Sequence, residues 1–314
     1  PLSFSCGDPI GLGLSVFRNP LLPVLFCALL WGSAFPVIKH VYGYWAEHGI
    51  ERSLSMIFLF AGVRFTIAGG GLLLFGKGLR QEFRATSWRA LLGFALAQTF
   101  IQYLFFYQAI AISSASLAAL LVATGSFWWM LLSPILRRSP WPTPRQWSGL
   151  FIGGVGVSLA VYAPGAGAGR PVLGALLMLV ATASGAIAII IFQRIRPTMS
   201  AINATGLSLL SGGLALFAVG IREVSSMSQM FAAPVIASTL WLALVSAIAF
   251  SIWNHLSTLF PVTLLASYRF LIPVCGVLEA QLLLSGESAG WGLVVGGVLV
   301  IISMFIAQRS LRLS

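Results

Sequence analysis

Charge is what this sequence has least of. Only 8% of its 314 residues are charged, against about 25% in an average soluble domain. So few charges cannot coat a water-facing surface. Acidic side chains are scarcer still, seven in the whole chain, and there are three histidines. That scarcity argues against an intramembrane enzyme, which would need His, Asp and Glu clustered at membrane depth. Cysteine is almost as rare. Cys6 lies near the start, while Cys27 and Cys275 fall in apolar runs with no C-x-x-C and no nearby His; they read as small core residues. No glycine-rich phrase is followed by Lys-Ser/Thr, so there is no phosphate-binding loop, and no cofactor or metal is expected.

In place of charge the chain has hydrophobic residues, 58% of the total. Apolar stretches of about 20 residues, each long enough for a hydrocarbon core of roughly 30 Å, recur from Leu21 to Ala307. Ten spans are expected, over 21–38, 54–76, 89–108, 114–136, 146–163, 172–193, 201–221, 234–256, 262–284 and 290–307. The first is as long as the later ones and lacks a clear cleavage site, so it reads as a span and not as a signal peptide. The expectation is an all-α polytopic membrane protein with the lipid bilayer as its solvent.

The net charge of +11 would point to nucleic acid in a soluble protein. Here the cations sit in short loops, which is the signature of membrane topology, and no nucleic-acid partner is expected. With the N-terminus inside, twelve cations face the cytoplasm: Arg18, Lys77, Arg80, Arg84, Arg89, Arg137, Arg138, Arg145, Arg194, Arg196, Arg309 and Arg312. Four face outward: Lys39, Arg52, Arg170 and Arg222. The excess predicts both termini in the cytoplasm.

One phrase occurs twice. Gly149-Leu150-Phe151-Ile152-Gly153-Gly154-Val155 returns 143 residues later as Gly292-Leu293-Val294-Val295-Gly296-Gly297-Val298. Five spans per half is an odd number, so the second half is expected to be inverted relative to the first, with a substrate site near the midplane between them. The expected organisation is an N-terminal cytoplasmic segment 1–20, a five-helix repeat 21–163, a connecting loop 164–171, a second repeat 172–308, and a cytoplasmic tail 309–314. Both phrases also carry small-xxx-small spacing, Gly149 to Gly153 and Gly292 to Gly296, which permits close helix contact.

Further local patterns run in a set order: Trp31-Gly32-Ser33-Ala34-Phe35-Pro36-Val37-Ile38-Lys39, then Arg64-Phe65 with Ala68, then Ala115-Ser116-Leu117-Ala118-Ala119-Leu120-Leu121, then Pro273-Val274, Gly286-Glu287 and the second glycine phrase. In this order and with the duplication, the chain resembles the EamA family of the drug/metabolite transporter superfamily, as two units over about 22–160 and 172–308. It departs from the pattern at Ala183-Ser184-Gly185-Ala186, where a Trp often sits, and at Ser126, where the first unit has no proline to match Pro273. The resemblance implies ten helices, a central cavity between the halves, and export of amino acids, other metabolites or drugs. It also implies a bacterial inner membrane location.

Few residues at membrane depth carry chemistry. Glu279 is the one carboxylate clearly inside an expected span, a costly placement that marks function or pairing. It is expected either to bind an amino group or a coupling proton, or to pair with Arg64 or Arg269 and lock the helices. Arg269 and Glu279 are ten residues apart, roughly 15 Å along a helix, so they do not pair with each other. Arg269 precedes Pro273 by four residues, where the proline can kink the span, and a guanidinium there suits bidentate binding of a carboxylate; an internal ion pair or snorkelling is the other reading. Arg64 matches a position of the resembled family, which favours a structural role. His255, beside Asn254, is either a titrating group or a satisfied polar residue at a helix end. Gln98 and Gln102 share a helix face, and with Tyr103 they either line a cavity or bond across helices. Trp31, Trp128, Trp253 and Tyr268 each lie beside a small or polar residue and are the aromatic cavity candidates.

The expected substrate-binding set is therefore Arg269, Trp31, Gln102, Tyr103, Trp128, Trp253 and Tyr268, with Glu279, Arg64 and His255 as coupling or structural charges. The leading function is alternating-access export of a small metabolite, best matched by an amino acid with an aromatic or other apolar side chain, with proton coupling possible. Uptake or facilitated diffusion of another metabolite, and an intramembrane enzyme, are the alternatives.

Overall fold

The computed structural model describes residues 20–137, 141–162, 170–222, 232–260, 265, 268–269, 271–285 and 290–309. Residues 1–19 of the expected N-terminal segment, 164–169 of the connecting loop, 310–314 of the tail, Arg138, and Gly286-Glu287 lie outside them.

In hydrocarbon every backbone N–H and C=O must be satisfied within the chain, which leaves helices as the simplest solution for an open segment. The described residues are 88% helical, with no strand among them. In chain order the helices are α1 (Leu21–Glu47), α2 (Leu54–Phe75), α3 (Leu79–Ala85), α4 (Trp88–Ile112), α5 (Ala115–Leu121), α6 (Thr124–Arg137), α7 (Pro144–Tyr162), α8 (Pro171–Ile195), α9 (Ala201–Gly220), α10 (Ala233–Leu259), α11 (Leu271–Leu283) and α12 (Trp291–Arg309). Several starts are written in the local sequence. Ser53, Ser114 and Ser200 each accept a hydrogen bond from the backbone N–H three residues on, and Pro171 opens α8 with its fixed φ and no donor to lose.

Among the described residues, seven segments are long and apolar enough to cross a membrane: α1, α2, α4, α5 together with α6, α8, α9 and α10. The ten expected spans also included α7, α11 and α12. The apolar parts of α11 and α12 are shorter, Leu271–Leu283 and Trp291–Ile306. Arg145, Gln146 and four glycines dilute the apolar character of α7. One other expectation changes. α1 does not stop at residue 38 but continues to Glu47, because Val41, Tyr42 and Trp45 are buried, Trp45 against Phe60 of α2 with ring centroids 5.7 Å apart. Pro273 lies in the first turn of α11 as described; the kink expected there falls on 261–264, 266–267 and 270, outside the described residues. An unexpected break falls at Val122–Ala123 between α5 and α6, without a proline; Thr124 Oγ1 closes it by donating to the Leu121 carbonyl at 2.7 Å.

Two antiparallel seams hold the bundle. On α2 and α9, Gly62 meets Phe217, Thr66 meets Gly213 and Gly69 meets Leu210, so residue numbers rise on one helix as they fall on the other. A Cβ on Gly213 would lie 2.6 Å from the Thr66 nitrogen, so only glycine lets the two backbones touch. On α7 and α12, Gly153 packs on Ser303 while Gly296 packs on Ala160. These contacts exchange under the 143-residue offset of the duplicated phrase. At one end of the first seam, Glu82 on α3 accepts hydrogen bonds from Ser200 N, Ser200 Oγ and Asn203 Nδ2 at 3.0, 3.0 and 2.8 Å, capping α9 from outside its own segment.

Candidate functional site

The cavity forms where the helices do not touch. Near the middle of their lengths α1, α2, α4, α8 and α10, with the start of α11, stand around about 90 Å³ in which the centres of water molecules fit. A single buried water needs roughly 10–15 Å³ by that measure, so the space takes several waters or a small solute.

Its apolar wall is aromatic. Trp31 on α1 meets Phe250 edge-on at 5.3 Å and Trp253 at 5.6 Å, both on α10. Tyr103 on α4 lies 4.3 Å from Phe65 and 5.3 Å from Phe106. Rings of this kind supply area without adding charge, the usual composition of a small-molecule site.

The polar wall begins at a π-helical turn, Leu96–Ile101, within α4. Such turns leave backbone groups free for other partners and are frequent at functional sites; here the Ala97 carbonyl accepts from Ser184 Oγ on α8 at 2.7 Å. Asn254 of α10 donates to Gln98 Oε1 at 3.3 Å and to Thr205 Oγ1 at 2.8 Å, and Gln98 Nε2 donates to Ser208 at 3.2 Å. Gln98 and Asn254 are thereby fixed. Gln102 is not: its amide hydrogen-bonds to no protein group among the described residues and rests against Gly185, where a Cβ would stand 2.7 Å from its Oε1. Thr182, on the same face of α8, shares a 2.9 Å hydrogen bond with Thr124 at the α5–α6 break.

Two arginines complete the lining, and they are held differently. Arg64 is 2% exposed. Its Nη2 donates to Ser246 Oγ at 3.1 Å, and the guanidinium carbon lies 4.2 Å from the Phe65 ring centroid, 5.3 Å from that of Tyr107 and 5.5 Å from that of Tyr103. Its Nε and Nη1 are buried with no acceptor. Arg269 is half-buried, 5.6 Å over the Trp253 ring. Its guanidinium lies beside Gly125, where a Cβ would be 3.2 Å from Nη2. Among the described residues neither arginine has a carboxylate partner, and no Asp or Glu lines the cavity.

The cavity thus brings together Trp31, Arg64, Gln102, Tyr103, Trp253 and Arg269 of the residues expected from sequence. The other four lie elsewhere. Trp128 is half-buried on α6, with its indole N–H enclosed and unpaired. Tyr268 packs outside the lining in a small cluster with Trp253, Leu256 and Val24. His255 follows Asn254 but does not line the cavity. Glu279 is seven residues beyond the cavity-lining Ile272, about 10 Å along the helix, and presents Oε1 to Gly32 of α1, where a Cβ would sit 2.8 Å away. That oxygen is buried and accepts no hydrogen bond. The expected pairing of Glu279 with Arg64 or Arg269 is therefore absent. Thr182, Gly185, Phe106 and Phe250 line the cavity without having been singled out. A small residue such as Gly185 carries no local signal, because its role is to leave room for Gln102.

These features, an all-helical apolar bundle around a small polar cavity, define a multi-pass membrane protein. Residues 19–162, a little under half of the chain, match the family model of the EamA-like transporter family, which lies within the drug/metabolite transporter superfamily. That match points to a membrane transporter of the drug/metabolite type. No curated protein matches the chain. A solved crystal structure superposes with a TM-score of 0.60 over 93% of this chain and 98% of its own, at 17% identity, a likeness of fold alone.

Proposed function

We propose that the protein is a secondary transporter that exports a small carboxylate-bearing metabolite by alternating access through this cavity. The aromatic and apolar amino acids are one candidate class. The observation that carries the reading is Arg269: a guanidinium with no carboxylate partner among the described residues, lining the cavity over the face of Trp253. A membrane-embedded cation without a counter-ion is retained at a cost and marks a substrate path.

The accompanying topology is ten crossings as two inverted five-helix repeats, with both termini in the cytoplasm of a bacterial cell and the chain in its inner membrane. It is supported by the twelve-to-four distribution of Lys and Arg, by the antiparallel course of both glycine seams, and by the exchange of Gly153–Ser303 with Gly296–Ala160 under the repeat offset. Glu279 is the group suited to carry a coupling proton. It lies at depth, outside the arginine-lined cavity, with one carboxyl oxygen buried and unbonded.

Proteoliposomes loaded with a pool of carboxylate metabolites, phenylalanine and tryptophan among them, should exchange at least one member against its radiolabelled form. Folded protein that exchanges none of them overturns the reading. If Glu279 carries the proton, Glu279→Gln should keep exchange while losing acceleration by a pH gradient; an unchanged response to the gradient removes that role.

A further inference from the structure

The sign of the charge around the cavity restricts its occupant further, on the reading that it is the transport site. An amino-acid substrate brings an ammonium as well as a carboxylate. Arg269 suits the carboxylate; nothing anionic among the described lining residues suits the ammonium. Glu279, the acid expected to take it, faces Gly32 in the α1–α11 seam about two helical turns away from the cavity. Glu47 ends α1 and Glu51 follows it, while Glu82 is bound to Ser200 and Asn203 at the start of α9. The remaining polar groups of the lining, Gln98, Gln102, Asn254 and Thr182, are neutral.

Two guanidiniums without a neighbouring carboxylate among the described residues give the lining a net positive charge, and arginine does not shed its proton to relieve it. Inside a low-dielectric bundle a like charge brought between them is repelled strongly. A second cation would also lose its hydration without gaining a partner. Trp31, Tyr103 and Trp253 add ring faces for a planar or apolar body. Two of those faces are already engaged by cations: Tyr103 by Arg64, and Trp253 by Arg269. The aromatic wall is therefore poorly placed to hold a substrate ammonium by cation–π contact.

We infer that the cavity selects a net organic anion, a carboxylate on an aromatic or apolar body with no ammonium group, whose negative charge supplies the counter-ion that Arg269 and Arg64 lack. A zwitterionic amino acid of the same shape is a poor ligand because its ammonium meets only neutral acceptors such as Gln102 Oε1, beside two guanidiniums.

Three probes with one phenyl body separate the possibilities: 3-phenylpropionate, an anion; phenylalanine, which differs by an α-ammonium; and phenethylamine, a cation. Equilibrium dialysis of each radiolabelled probe against the detergent-purified full chain should give 3-phenylpropionate an affinity at least ~10-fold above phenylalanine, with phenethylamine unbound, since like-charge contacts are the strong discriminators. Arg269→Gln should weaken 3-phenylpropionate at least ~10-fold and level the series. Arg269→Lys, which keeps the charge but not the planar fork, should bind more weakly while preserving the order; it also serves if the glutamine variant fails to fold. Phenylalanine or phenethylamine binding as well as or better than 3-phenylpropionate overturns the inference, as does a series unchanged in a folded Arg269→Gln protein. Absence of binding by all three overturns it too. Exchange of some other solute in proteoliposomes would then leave the transporter reading standing, whereas binding of the anion without exchange of any solute would sink that reading and keep the site.

Discussion

Along α2 and α9, Gly69 lies on the backbone of Leu210 and Gly213 on that of Thr66. Along α4 and α8, the Gln102 amide rests against Gly185 at the edge of the cavity. Both interfaces use glycine, yet one is closed and the other hollow. In the seam a glycine meets backbone, so the missing side chain brings two helices together and maximises dispersion contact. In the cavity a glycine meets the end of a long polar side chain, so the missing methyl leaves that amide free. The same residue type glues or opens according to what stands opposite it, and the molecule separates a rigid frame from a chamber by that means.

The comparison breaks most severely in the frame. Gly213→Val places new atoms against the Thr66 backbone, already 2.6 Å from a Cβ, and should cost at least ~3 kcal/mol or prevent folding, because neither backbone can yield as a side chain would. Thermal unfolding followed by size-exclusion fluorescence reads this. A variant that melts like the parent would show that the seam has slack.

The two arginines sharpen the contrast at intermediate size. Arg64 is packed between rings and bonded to Ser246, so it belongs energetically to the frame. Arg64→Ala should lower stability by about 2–4 kcal/mol through lost packing and an orphaned hydroxyl. Arg269→Ala, at a half-open position, should lower it by less than ~1 kcal/mol. Equal losses in chemical denaturation would erase the distinction.

The smallest effect concerns the rim. Glu82→Ala removes three hydrogen bonds that cap the start of α9, worth about 1 kcal/mol for a helix N-terminus. The parent and variant melting curves should differ by that modest amount, with substrate binding unchanged. Lost binding would tie the cap to the chamber.

Much of the frame was readable from composition and repetition, and much of the chamber from residue type. Arg64, Gln102 and Arg269 stand out because a polar side chain in an apolar run demands an explanation, and the structure brings all three to one space. Trp31 and Trp253 gather there too, but Trp128 and Tyr268 do not. These spans are apolar on nearly every side, so hydrophobic periodicity does not tell a lipid-facing ring from an inward one. The break at Val122–Ala123 escaped notice because part of its support is tertiary: Thr124 bonds to Thr182, 58 residues away. The overrun of α1 to Glu47 has a similar cause. Lys39 and His40 look like a helix end, yet burial of Val41, Tyr42 and Trp45 carries the helix past them.

The exchange between Gly153–Ser303 and Gly296–Ala160 has a consequence for how such a chain drifts over time. Where the glycines of each copy pack on the helix that carries the other copy, a change in one helix is tested at once against its partner. Around the cavity the contacts join unlike residues, as Trp31 with Phe250 and Gln98 with Asn254, so no residue there is tested against its own twin. The phrase Gly-Leu-x-x-Gly-Gly-Val therefore recurs where two helices must fit each other. Neither copy lines the cavity, so the part of the chain that repeats itself says least about what it carries.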